Sequence, residues 1–257
     1  MSIFTYILSS RQRKYGIDIS HWNGSINFSK LDVDFVIMKV SQGTHEDVKF
    51  EDNYKICSIP KGAYIYNKVL TLADARKEAE FAVKCLQGKT LEYGVWLDME
   101  DSSMRILSKK LLNDIITTEA NILRNAGFNV GIYCNRDWYL NVLDSAYLST
   151  IYPFWIARYP SIDNGTAKAN LSPKELKGCK MWQYSSKGTM PGILGNVDLN
   201  VEFEPPFASV QPVQKSIDEI ARDVLAGKYG NGERRKQLLG DKFAEVQKRV
   251  NELLKGK

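Results

Sequence analysis

The chain has 257 residues, of which 44% are apolar and 25% charged, and a formal net charge of +5. That length holds one large domain or two unequal ones, and that composition excludes disordered, fibrous and collagen-like classes. Four widely spaced cysteines (Cys57, Cys85, Cys134, Cys179) and two histidines (His21, His45) exclude a short-spaced redox motif and a Cys/His zinc site, so reduced, buried thiols and no metal or cofactor are expected.

Residues 1–14 read as an N-terminal extension. Its apolar run, Ile3 to Leu8, has no preceding positive charge and is followed by Arg11, Arg13 and Lys14, which is too short and of the wrong polarity for a secretory signal. No stretch approaches the length of a membrane span. A product made in the cytoplasm, with no membrane insertion, is expected.

From Tyr15 onward, short β-rich runs alternate with helical ones. Tyr15–Ser20, Phe35–Ser41, Gly62–Asn67, Gly94–Glu100 and Asn129–Asn135 read as strands. Leu72–Leu86 and Ser108–Ala126 carry apolar residues at helical spacing, and Gly127 follows as a C-terminal stop. Such alternation implies right-handed crossovers and a parallel sheet. Further on, Pro153–Tyr159, Cys179–Ser185 and Val197–Phe203 read as strands joined by loops too polar and Gly-rich for good helices. Eight strands suggest closure. The expected fold is α/β: a TIM-like β/α barrel over 15–204 with reduced final helices (five helices, eight strands), its reactive side chains at the C-terminal ends of the strands.

The stretch EPPFASVQPVQKS from Glu204 to Ser216 has three prolines and no periodicity, so a linker is placed over 205–216. Residues 217–257 read as a small three-helix module with a GKYGNGE turn, marginal in stability alone. From Lys215 onward eleven Lys and Arg face seven Asp and Glu, so nearly all the net charge lies there. A weakly basic appendage suits an anionic polymer, and a solvated helix face explains it equally well.

Four acids stand out. Asp98 and Glu100, two apart in Gly94-Val95-Trp96-Leu97-Asp98-Met99-Glu100, share one strand face. Like charges buried together raise the pKa of one, which places an acid beside a base. Asp18 in the first strand and Asp198 in the last are each a lone carboxylate among apolar neighbours, and closure of an eight-strand barrel makes those strands adjacent. Four acids on one rim form a catalytic arrangement or a cation site. The alternative is that each pairs with a cation such as Lys39 or Arg158. Sugar hydrolysis needs a proton donor to the leaving oxygen and a group stabilising positive charge at the anomeric carbon. Tyr64, Tyr66, Tyr133, Trp155 and Trp182 offer stacking walls, although some of the five must face the core because alternate strand residues point opposite ways.

The series GIDIS, FVIMKVSQGT, KGAYIYN, VWLDME, GIYCNRDWY, FWIARY and WQYSSKG…GILGNVDLN resembles the glycoside hydrolase family 25 lysozymes, from about Tyr15 to Phe203. The resemblance implies cleavage of the β-1,4 bond between N-acetylmuramic acid and N-acetylglucosamine of bacterial peptidoglycan, with net retention. It implies Glu100 as general acid, Asp98 as its partner, and Asp18 and Asp198 as rim carboxylates that orient water or the substrate acetamido group. Lys39, Tyr64, Tyr133, Trp155, Ala157, Trp182 and Gln183 match groove positions. His21-Trp22-Asn23 departs from the usual stretch after the first strand, and fourteen residues precede the domain.

Residues 217–254 resemble the cell-wall-binding repeats of pneumococcal phage lysozymes (CW_7), with Arg222 and Tyr229 as the wall contacts so implied. One copy forgoes the avidity of tandem repeats unless the chain oligomerises through that module. A muramidase with such a tail resembles a bacteriophage endolysin, held in the host cytoplasm until a holin opens the membrane. Its partner is peptidoglycan, not nucleic acid. A metal-dependent barrel hydrolase and a non-catalytic peptidoglycan-binding protein are the competing readings.

Overall fold

In the computed structural model, which describes residues 13–207, 217–225, 227, 229 and 231–255, strand β1 (Lys14–Ile19) pairs in parallel with β2 (Phe35–Gln42). β2 turns back into the two-residue β3 (His45–Glu46) and pairs on its other edge with β4 (Lys61–Tyr66). The parallel ladder continues through β5 (Val95–Asp98), β6 (Val130–Asn135), β7 (Phe154–Ala157) and β8 (Cys179–Gly188). β9 (Val197–Glu202) then closes the barrel between β8 and β1.

Here the structure departs from a wholly parallel sheet, because β9 runs antiparallel to both neighbours. The cause is the short connection from Gly188 to Val197, where a parallel return needs a crossover of about a dozen residues or more. The chain turns back as a hairpin instead. β9 therefore starts at the mouth where the other strands end, and this brings Asp198 to the same rim as Asp18.

The expected helices form at α2 (Leu72–Cys85) and α3 (Lys109–Asn125), preceded by the short α1 (Phe50–Ile56), which was not expected. The Thr71 and Ser108 hydroxyls accept from the amides of Asp74 and Leu111, satisfying first-turn donors. Gly127, at φ 96°, takes the left-handed turn that ends α3. After β6 come a π-helical turn (Trp138–Val142) and one short helix, α4 (Ser145–Leu148). Between β7 and β8 the only helical segment is a 3-10 turn, Ala169–Leu171. The barrel thus carries four α-helices and the π turn, with its last helices reduced.

Strand alternation sorts side chains into two cores. Outward residues such as Val36, Met38, Ile65, Leu97 and Ile132 pack under Ala75, Ala82, Leu112, Ile116 and Leu123 of α2 and α3. Inward residues Phe35, Ile37, Trp96, Trp155 and Met181 fill the barrel. Gly131 is required beside this filling, since a Cβ there would lie 2.4 Å from the Trp96 ring. Phe207, in the stretch expected to be linker, has its ring centroid 5.5 Å from that of Trp96. The rest of that stretch, and the N-terminal extension up to residue 12, lie outside the described residues.

All four cysteines are free, and Cys85 is half-buried where the other three are buried. No helix among the described residues is long and apolar enough to cross a membrane.

The chain divides at Ala208/Ser209 into two compact units. The second holds α5 (Ile217–Leu225), α6 (Gly232–Leu239) and α7 (Phe243–Lys255), with α5 packed on α7. Ile220, Ala221, Val224, Leu239, Val246 and Val250 form its own small core.

Candidate active site

The parity that builds the barrel also selects what reaches its mouth. Asp18, Lys39, Tyr64, Tyr66, Asp98, Tyr133, Trp155, Gln183 and Asp198 alternate inward along their strands and line one cleft of about 300 Å³, together with Glu100 just past the end of β5 and with Trp22, Tyr159 and Ser186. Four carboxylates sit among six aromatic side chains. No ion pair within 4 Å joins any of the four acids to a basic side chain among the described residues, so neither Lys39 nor Arg158 neutralises them. Lys39 Nζ instead donates to Gln42 Oε1 at 3.2 Å and lies 4.9 Å above the Tyr66 ring.

Asp98 is buried, and its Oδ1 has no hydrogen-bond partner among the described residues. Burial, reinforced by the charges of Glu100 and Asp18 and opposed by Lys39, pushes its pKa well above the carboxylate range. Burial also raises Glu100, against a hydrogen bond from Asn135 and with help from the charge of Asp18. An acid so placed keeps its proton to higher pH than a solvated glutamate does.

Asp18 is held by amides. Gln183 Nε2 and Asn200 Nδ2 both donate to its Oδ2, at 2.7 and 2.8 Å. Asn200 is fixed in turn by Trp155 Nε1 at 2.8 Å, and Gln183 Oε1 accepts from the hydroxyls of Tyr133, at 2.7 Å, and Tyr159. Burial lifts Asp18 to about 6 despite these donors. Asp198, its register partner, is pushed up to about 8 by burial, by the charge of Asp18 and by the hydrogen bond the two share. Of this pair, Asp198 keeps the proton and donates it to Asp18.

Of the seven expected groove residues, Lys39, Tyr64, Tyr133, Trp155 and Gln183 line the cleft. Ala157 is buried in the inner core. Trp182 lies outside, because it adjoins inward-facing Gln183 on β8. It packs against Tyr184 and Phe203 and donates Nε1 to the Arg158 carbonyl at 2.9 Å. Sequence reasoning passed over Trp22, Tyr159, Ser186 and Asn200. Parity would have found Tyr159, two residues beyond Ala157, and Asn200, two beyond Asp198. Trp22 sits on the 3-10 turn after β1 and is 84% exposed, and no strand periodicity marks it.

In the second unit Arg222 is exposed and paired with Asp218 at 3.4 Å, and Tyr229 is half-buried against that unit's core. Among the described residues no group of three or more His, Cys, Asp or Glu is arranged to hold a metal ion.

A closed barrel with clustered, unneutralised acids at an aromatic-walled mouth defines the class, a carbohydrate-hydrolase barrel. Residues 17–193 match the profile of the glycosyl hydrolases family 25, and the chain belongs to that family. Residues 218–254 match the CW_7 repeat. The chain is similar to an autolytic lysozyme of Clostridium acetobutylicum, with 28% identity over 192 residues, covering 72% of this chain and 54% of that protein. It thus spans about half the length of that relative. In structure it is similar to the modular autolysin LytC of Streptococcus pneumoniae, solved in complex with a synthetic peptidoglycan ligand (TM-score 0.65, 26% identity, 75% of this chain and 47% of that one). It is also similar to the catalytic domain of endolysin ply40 from Listeria monocytogenes bacteriophage P40 (TM-score 0.59, 28% identity, 74% and 93%).

Proposed function

We propose that this chain is a lysozyme that hydrolyses the β-1,4 bond between N-acetylmuramic acid and N-acetylglucosamine in bacterial peptidoglycan, with Glu100 as the proton donor. The observation that carries this reading is the pair Asp98, at the end of β5, and Glu100, just past it, desolvated, and without a cationic partner at the floor of an aromatic-walled cleft. Glu100 protonates the leaving glycosidic oxygen. Burial and the charge of Asp18 hold the donor's pKa up, and Asp98, held beside it, is its electrostatic partner, whose negative charge, once it ionises, stabilises the positive charge that develops at the anomeric carbon. The Asp18–Asp198 pair, anchored by Gln183 and Asn200, orients the attacking water or the substrate acetamido group. Retention through that acetamido group requires no protein nucleophile.

Replacing Glu100 by Gln should lower release of reducing sugar from purified peptidoglycan by about 10²–10⁴-fold, the usual scale for a general acid, with an unchanged circular dichroism spectrum. Near-full activity in that variant would remove Glu100 from the role. Mass spectrometry of the fragments should find muramic acid at the reducing end. Glucosamine there, or free peptide, would contradict the bond assignment.

In this reading the second unit holds the enzyme on the wall through Arg222 and Tyr229. A single repeat gains avidity only by self-association, and sedimentation velocity distinguishes a monomer from an oligomer. The enzyme acts from the host cytoplasm once a holin has opened the membrane, as the likeness to an endolysin domain supports. Expression inside a susceptible cell should leave it intact until a pore-forming protein is co-expressed. Lysis without the pore would refute that route.

A further inference from the structure

A second pocket of about 300 Å³ opens beside the catalytic cleft, on the rim formed by the end of β1, the end of β2 and the β2–β3 turn. The two cavities share Lys39, which lines both. They are also linked by His21, whose ring lies 4.6 Å from that of Trp22 in the cleft wall. Their chemistry differs. The cleft is walled by Trp22, Trp155 and four tyrosines, whereas the second pocket has no aromatic wall apart from its two imidazoles, His21 and His45. Its other polar groups are an ammonium, the Gln42 amide and two carboxylates.

That lining is built rather than incidental. Asp47 is buried and accepts from His21 Nδ1 at 2.6 Å, from the His21 amide at 3.1 Å and from the Lys49 amide at 3.0 Å, which fixes the imidazole against the pocket wall. Its charge is spent inside the protein. Glu46 is half-buried, and its Oε1 is buried with no hydrogen-bond partner among the described residues. Lys39, which donates to Gln42 and lies over the Tyr66 ring, and exposed His45 are left as donors toward the pocket. Sugar rings bind on flat apolar faces, which are missing here; a carboxylate-bearing peptide binds through donors and amides, which are present.

We infer that this pocket is a subsite for the acidic peptide that muramic acid carries in peptidoglycan, with Lys39 and His45 receiving a peptide carboxylate while the glycan lies in the adjoining cleft. The inference rests on the muramidase reading and extends it, since the enzyme then reads the substituent as well as the sugar. Bare glycan strands are correspondingly poorer substrates than peptide-bearing ones.

The test compares full-length wild type, His45→Glu and His45→Lys on two substrates: purified peptidoglycan, and the same material after an amidase has removed its peptides. His45 is exposed on a two-residue strand, so neither variant perturbs the fold. His45→Glu, which repels a carboxylate, should raise KM about tenfold on the peptide-bearing wall, the scale of one charge-assisted contact, and leave the stripped glycan within about twofold. His45→Lys should behave as wild type on both. Equal loss on the two substrates, or no change on either, would overturn the subsite. Wild-type protein that cleaves neither substrate would instead refute the muramidase reading, and the subsite with it.

Discussion

Asp198 stands opposite Asp18 across the antiparallel β1–β9 ladder and shares a hydrogen bond with it, so two carboxyl groups are held together by one proton. Both are raised above their ordinary value of 3.8, Asp18 to about 6 and Asp198 to about 8. The folded protein therefore keeps protons that the unfolded chain has released. The stabilisation is complete below the unfolded value and is lost as pH rises through those two folded values. Thermal melts at about pH 5 and about pH 8.5 should show wild type less stable at the higher pH. Asp198→Asn, which donates to Asp18 without ionising, should lose less across that interval. An equal loss in both proteins would show that the dyad does not cause the dependence.

A second proton-sharing pair lies outside the barrel. Glu78 of α2 and Glu119 of α3 are both buried. Glu78 Oε1 accepts from the Gly43 amide and Glu119 Oε2 from Asn67 Nδ2, each at 2.5 Å. The two remaining oxygens have only each other among the described residues. Burial pushes Glu78 up to about 7, while burial and the charge of Glu78 hold Glu119 well above its normal range. The sign is the same, with stability falling as pH rises through about 7. Glu119→Gln replaces the shared proton with a permanent donor. It should flatten the pH dependence of the urea midpoint, and a midpoint that still falls as steeply would rule the pair out as its source.

Two tryptophans should separate binding from stability. Trp22 is exposed at the cleft edge, so Trp22→Ala should raise KM on peptidoglycan while changing stability by no more than about 0.5 kcal/mol. Trp182 is buried on the outer side of β8, so Trp182→Ala should cost about 3–5 kcal/mol and leave KM unchanged in the protein that remains folded. Urea titration with kinetics on the same samples decides this, and a raised KM with unchanged stability in Trp182→Ala would show that the two faces of β8 are misassigned.

The second unit has so small a core that one buried charge should unfold it. Val246, fully buried between its helices, is the place to test this with Val246→Asp. Sedimentation with purified walls should be lost, while cleavage of short soluble muropeptide oligomers stays near the wild-type rate. If wall binding survives, attachment does not depend on this unit.

Much of the site was legible because the relevant signal is local. Asp98 and Glu100 are two apart at the end of β5, and Tyr159 and Asn200 follow Ala157 and Asp198 at the same interval; a period of two is enough to place each on the inner face. The same rule excludes Trp182 once Gln183 is taken as inward. Motif likeness, which carries no facing information, had kept both. Trp22 and the His21–Asp47 contact had no such signal, since they lie on turns and join residues 26 apart.

The acids that stood out in the sequence were therefore determined by it: their strands, their inward parity, and the alternation of strand and helix that supports a barrel. Tertiary structure decided what surrounds them. Closure, together with a connection too short for a crossover, reversed β9 and set Asp198 against Asp18. The packing of α2 on α3 turned Glu78 and Glu119, which read as ordinary polar helix residues, into a buried pair. The physical reason is range. Periodicity is set by neighbours along the chain, whereas desolvation and proton sharing depend on which distant segment arrives opposite, and that is known only when the chain has closed.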